Sequence, residues 1–222
     1  MRVEPIPADA LAARAALWIA DRTWTAFAAR GAAHVAVSGG STPADMLRSL
    51  ATLTVPWSAL HIWQVDERIA PDGDPDRNAT QLDALRAAGA TVHLLDVTAH
   101  DVAGAAAAYA AALRSACDGV LDVVHLGLGD DGHTASWVPG DPVVAVTDRD
   151  VALTGVYKGR ARLTLTPPIV NRARSVMFLV AGAAKATALR GLLQGDPAVP
   201  ATEVRAADAV LLADPAALGT GT

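Results

Sequence analysis

The sequence predicts an α/β protein with an open, mostly parallel, Rossmann-like sheet and helices on both of its faces. Two observations carry that prediction. Short apolar runs alternate from end to end with Ala-rich segments of helical period, the pattern of a sheet sandwiched between helices. Two Gly/Pro/Asp-rich interruptions, at 71–78 and 130–142, read as long loops on that rigid frame, where binding chemistry usually sits.

The first helix fits residues 8–30, with Leu11, Ala15, Trp18, Ile19 and Phe27 on one face and Gly31 in the stopping position. Strands are expected at 34–38, 61–65, 92–95, 122–128, 151–156, 162–166, 175–181 and 209–213. Helices are expected from Pro43, a favoured first helical position, and at 78–88, 101–116, 168–173 and 184–193. The Ala-rich stretch 103–112 is scaffold with high helix propensity.

At 222 residues the chain is long enough for one domain spanning 1–222, and 52% hydrophobic with 18% charged residues is a globular rather than a disordered composition. Its apolar stretches fall well short of the roughly 20 residues of a membrane span. The N-terminal residues lack the basic start and apolar stretch of a secretory signal. The single cysteine, Cys117, excludes an internal disulfide, so a reducing, cytoplasmic setting with no membrane partner is expected. A net charge of −5 argues against a nucleic-acid partner, yet a few clustered cations still bind a small anion. Only two lysines, Lys158 and Lys185, occur among 18 Lys and Arg residues, and each is a candidate for such a role.

Four motifs carry the chemistry. In SGGSTP (Ser38–Pro43), Gly39 and Gly40 let the backbone approach a ligand, and Ser41 and Thr42 open a helix whose N–H groups favour an anion. The spacing is neither GxGxxG nor a P-loop ending in Lys, which points to a monophosphate rather than NAD or ATP. In VDER (Val65–Arg68), a strand ends in Asp66, Glu67 and Arg68, and Arg68 suits a phosphate or a developing negative charge. In HLGLGDDGHTASWVPG (His125–Gly140), Asp131 stands two residues from His133 across Gly132. That pair suits acid–base work, since a carboxylate can fix the tautomer of an imidazole and raise its basicity. No HExxH or Cys cluster occurs, so no catalytic metal is expected. The fourth motif is the pair Arg162 and Lys185; a lysine at a helix start makes better sense if an anion is there too. The remaining histidines read as packing groups (His34, His61, His93, His125) or as solvated (His100).

The order SGGSTP, VDER followed by Asp76-Arg77-Asn78, then GLGDDGHTASWVPG resembles the 6-phosphogluconolactonase family, and the resemblance runs to PATEVRAADAVLLAD. It implies the fold of the glucosamine-6-phosphate deaminase and ribose-phosphate isomerase group. The implied activity is hydrolysis of 6-phospho-D-glucono-1,5-lactone in the oxidative pentose phosphate pathway, with a phosphorylated sugar lactone as partner and no cofactor. By the resemblance His133 is the general base, Asp131 its orienting carboxylate, and Arg68 a stabiliser of the oxyanion. The phosphate lies among Gly39, Gly40, Ser41, Thr42, Arg162 and Lys185, and Asp66 and Asn78 match their motifs. Three places depart from the family pattern: VYKGRAR, where Lys158 stands in for a lysine of a Pro-rich stretch, Arg77 in place of a common Ser, and Trp137-Val138 in place of Leu-Phe. An amino-sugar-phosphate deaminase would carry a Glu after the DGH turn, where this chain reads GHTASWVPG. A sugar-phosphate sensor would carry a basic helix-turn-helix, and a dehydrogenase the fingerprint glycines.

Overall fold

In a computed structural model, which describes residues 1–220, the chain forms strands β1 (Arg2–Pro5), β2 (Ala33–Val37), β3 (Leu60–Gln64), β4 (Asp66–Arg68), β5 (Thr91–His93), β6 (Val123–Leu126), β7 (Val151–Leu153), β8 (Arg162–Leu165), β9 (Ser175–Val180) and β10 (Ala209–Ala213). The α-helices are α1 (Ala8–Arg30), α2 (Ser41–Ala51), α3 (Asp83–Ala87), α4 (Val102–Cys117), α5 (Pro167–Arg172) and α6 (Ala186–Gln194).

Seven strands form an entirely parallel sheet in the order β1-β10-β9-β6-β2-β3-β5. Alternate side chains of each strand feed opposite cores. Val35, Ile62, Met177 and Leu212 pack with α1, α2 and α3, whereas Ala36, Trp63, Phe178 and Leu211 pack with α4, α5 and α6. Local chemistry sets the end of α1 and the start of α4. Gly31 takes the left-handed conformation (φ 77°) and donates its N–H to the Phe27 carbonyl, and Asp101 caps α4 by accepting from the Gly104 N–H at 2.9 Å.

Several expectations need correction. The strand β1 was not expected, because RVEP has no apolar pattern and stays largely exposed. Phe27 does not join the buried face of α1; Ala26 does, and Phe27 packs edge-on against Trp24 at the surface. The helix of SGGSTP begins at Ser41, two residues before Pro43, and the segment 78–88 opens as a 3₁₀ turn (Asn78–Leu82) before α3. The larger correction concerns β7 and β8, which lie outside the main sheet. With β4 they form a separate three-stranded antiparallel sheet in the order β4-β8-β7. VDER therefore passes from one sheet to the other, with Val65 as the junction before β4: Val65 donates to the Val37 carbonyl on one side and accepts from the Leu165 N–H on the other.

This arrangement fixes the place of the site. From β2 the chain winds outward through β3 and β5, and from β6 through β9 and β10, so the winding reverses between β2 and β6. Ligands in open α/β sheets bind beyond the strand ends at such a reversal.

Candidate active site

Beyond the carboxyl ends of β2, β6 and β9 lies a cleft of about 230 Å³. Its lining contains ten of the twelve sequence-predicted residues: Gly39, Gly40, Ser41, Thr42, Asp66, Arg68, Asn78, His133, Arg162 and Lys185.

The first wall is the β2–α2 turn. Ser38 holds its base, donating its backbone N–H to His125 Nδ1 (3.3 Å) and its hydroxyl to the His125 carbonyl (3.1 Å). Burial drives the His125 pKa down to about 3, so the ring stays neutral and Nδ1 remains an acceptor. Gly39 permits the close approach of Asn78, whose side chain any Cβ at 39 would strike. Gly40 has φ 130°, and its N–H is taken by Gln81 Oε1 at 3.1 Å. The N–H groups of Ser41 and Thr42, next in line, have no partner among the described residues and open the first turn of α2.

The second wall is the small sheet. Because β4 and β8 pair with Arg68 opposite Arg162 and Asp66 opposite Thr164, these four side chains share one face. Leu163 and Leu165, on the other face, enter the core. Asp66 is buried and accepts from Ser136 Oγ (2.6 Å) and Asn78 Nδ2 (3.3 Å); desolvation raises its pKa, against the pull of Ser136, Arg162 and Arg68. Arg68 Nη1 donates to Asn78 Oδ1 (2.9 Å) and to the Asp76 carbonyl.

Arg162 is 7% exposed, its Nε has no hydrogen-bond partner, and among the described residues no carboxylate lies within 4.0 Å of it. Burial lowers its pKa, with Asp66 acting in the opposite direction, yet a guanidinium remains charged. Its guanidinium lies over the Tyr157 ring with no carboxylate in contact, which leaves it able to take an anion from the cleft.

Glu67 holds this wall together from behind and is fully buried. Oε1 accepts from the N–H groups of Arg68 and Asn78 (2.8 Å each). Oε2 accepts from Gln64 Nε2 (2.8 Å) and the Ala79 N–H (2.9 Å), and pairs with Arg77 Nε at 3.1 Å. Arg77, which departs from the family pattern, is thus a structural counterion. Trp137, another departure, is fully buried and donates to the Leu165 carbonyl at 2.7 Å.

The third wall carries the acid–base pair. Gly132 turns the chain with φ 85°, and Gly129 N–H donates to the His133 carbonyl at 2.7 Å. A Cβ at Gly129 would overlap the His133 ring and the Asp131 carboxylate. In that tight turn Asp131 Oδ1 meets His133 Nδ1 at 2.6 Å. Partial burial works against the Asp131 carboxylate, but hydrogen bonds from the His133 ring, the His133 N–H and Tyr157 outweigh it and bring its pKa down to about 2. An ionised Asp131 on Nδ1 selects the tautomer that leaves Nε2 with its lone pair free.

Two predicted residues lie off the lining. Asp131 reaches the cleft through His133, and Lys158 does not reach it: its ammonium rests over the Tyr157 ring, 5.1 Å from the centroid. Sequence reasoning missed Gln81, Ser136, Glu67 and Tyr157. Glu67 and Ser136 stand inside two of the motifs and so had a signal without a role, Tyr157 stands inside a departure from the family pattern as one of two tyrosines in the chain, and Gln81 stands in no motif.

An anion cradle and a carboxylate-backed imidazole at the winding reversal of a parallel sheet define a sugar-phosphate class of α/β fold, and the comparisons agree. Residues 7–212 match the family described as glucosamine-6-phosphate isomerases/6-phosphogluconolactonase, and the chain belongs to that family. It is 38% identical over 187 residues to a 6-phosphogluconolactonase of Synechocystis sp., covering 79% of this chain and 78% of the relative. It is 37% identical over 218 residues to one of Streptomyces coelicolor, covering 87% and 81%. Among solved structures, a 6-phosphogluconolactonase from Shewanella baltica superposes with a TM-score of 0.85 at 27% identity, covering 96% of each chain. A monomeric glucosamine-6-phosphate deaminase shares the fold, with a TM-score of 0.87 at 20% identity over the full length of both chains.

Proposed function

We propose that the chain, acting as one catalytic domain in the cytoplasm, hydrolyses 6-phospho-D-glucono-1,5-lactone to 6-phospho-D-gluconate. The observation that carries the reading is that the His133 ring, backed by Asp131 at 2.6 Å, lines the same cleft as the buried, unpaired Arg162.

In this mechanism His133 Nε2 takes a proton from water as the water oxygen attacks C1 of the lactone. Negative charge develops on the carbonyl oxygen, and Arg68 stabilises it; its Nη2 carries no protein hydrogen bond among the described residues. Collapse of the tetrahedral intermediate breaks the bond from C1 to the ring oxygen, which receives the proton back from the imidazolium. Asp131 stays ionised and holds Nδ1–H. At the far end the Ser41 and Thr42 N–H groups, Arg162 and Lys185 bind the phosphate, and that remote binding places C1 over His133. Asp66 and Asn78 hold the wall between the two ends.

The test is hydrolysis of freshly generated lactone by wild type and His133→Ala, with the spontaneous rate subtracted and folding checked. Wild type accelerates the reaction and the variant loses about 10²-fold or more. No acceleration by wild type sinks the reading, and a fully active His133→Ala moves the base elsewhere.

A further inference from the structure

The hairpin between β7 and β8 does more than connect them. Tyr157 and Arg160 form an isolated antiparallel bridge (N–H to carbonyl 3.0 and 3.3 Å), closed by Lys158 (φ 49°) and Gly159 (φ 81°), two left-handed residues that make a tight primed turn. Arg160 clamps the hairpin to the 71–78 loop through Asp74 (2.8 Å) and Asp76 (3.4 Å), and the Ile69 N–H adds a bond to the Ala161 carbonyl. The result is a fixed arm that carries Tyr157 to the acid–base pair. Its hydroxyl donates to Asp131 Oδ2 at 2.8 Å, the oxygen that His133 leaves unused. Its ring meets the His133 ring edge-on, with centroids 5.4 Å apart, and the Arg162 guanidinium carbon lies 5.0 Å from the Tyr157 centroid.

The geometry points to Tyr157 as a positioning residue for the acid–base pair, holding the Asp131 carboxylate by its second oxygen and joining it to the anion-binding Arg162. This rests on the lactonase reading for its consequence in catalysis, but not for the coupling itself. With one oxygen on Nδ1–H and the other on the phenol, Asp131 has no freedom to rotate away from His133. The phenol also draws charge from the carboxylate, and so weakens its hold on an imidazolium. Removing the hydroxyl leaves Asp131 more negative towards His133, and protonation of the ring becomes easier.

Tyr157→Phe keeps the ring and removes only that bond. We expect kcat/KM on the lactone to fall about tenfold, chiefly in kcat, a change equivalent to ~1.4 kcal/mol. The acidic limb of the pH–rate profile moves to higher pH, and the His133 ring resonances, followed by NMR in the ligand-free protein, titrate at higher pH than in wild type. In an Asp131→Asn background the same change has little further effect on either readout. A His133 titration unmoved by Tyr157→Phe, or equal losses with and without Asp131, overturns the proposal. If the wild type does not hydrolyse the lactone, the functional reading fails while the NMR titration still decides the coupling.

Discussion

Strand β9 of the large sheet and the small antiparallel sheet treat buried polarity in opposite ways. In the seven-stranded sheet, β9 presents Val176, Met177, Phe178, Leu179 and Val180 to two apolar cores, and its strength is area removed from water. In the three-stranded sheet, Asp66, Glu67, Arg162 and Thr164 are buried within three or four residues of strand, with Arg77 and Asn78 behind them. The first region can lose a contact and remain the same shape. The second is a network whose members each hold another, so losing one misplaces the rest.

The sharpest way to break that contrast is a pair of variants of similar cost. Phe178→Ala and Glu67→Gln should each lower stability by about 3–5 kcal/mol, the first by opening a cavity and the second by disrupting a buried ion pair. Denaturant titration reads the stability, and lactonase assays normalised to folded protein read the site. Phe178→Ala should keep kcat/KM, whereas Glu67→Gln, whose new amide faces N–H donors of Arg68, Asn78 or Ala79, should lose it. Equal retention by both would mean that the polar network is packing alone.

A smaller effect should separate the two ends of the substrate. Lys185→Ala and Arg162→Ala are expected to weaken binding of the phosphorylated lactone by about 10–100-fold, the range of hydrogen bonds to charged groups, with much less effect on plain gluconolactone. Equal losses on both substrates would remove the phosphate role.

A separate effect concerns pH. Desolvation lowers the pKa of His34, His61, His93 (to about 4) and His125 (to about 3), with neighbouring imidazoles adding to it at His34 and His93. The unfolded chain then binds more protons than the folded one from about pH 6.5 downward. Stability should fall as pH drops from 7 through that window and level off once the folded rings protonate near the lowered values. Denaturation midpoints at pH 7 and pH 5 check this, and His93→Gln, which removes a ring stacked on Trp63, should narrow the difference. A midpoint unchanged between those pH values would sink it.

The same contrast explains what was legible in the sequence. The parallel sheet could be read because HVAVS, DVVHLGL and SVMFLVA are long enough to show a strand, and the glycine turns mark where the chain leaves it. The small sheet could not. β4 is three charged or acidic residues with no apolar period, and its pairing with β8 spans nearly half the chain. The candidate residues were visible as local clusters such as Asp131-Gly132-His133. The roles of their supports were not, because Ser136, though inside that same motif, reaches Asp66 across 70 positions, and Gln81 reaches Gly40 across 41.

The ionised Asp131 has one more consequence, for the end of the cycle. In the proposed reaction the lactone brings no charge to the reacting end of the cleft, whereas its product carries a carboxylate there, between the Arg68 guanidinium and the imidazole that stands in front of the ionised Asp131. The product is therefore held by two opposed charges at that end, the pull of Arg68 and the push of Asp131 from behind His133, a balance the uncharged lactone does not meet.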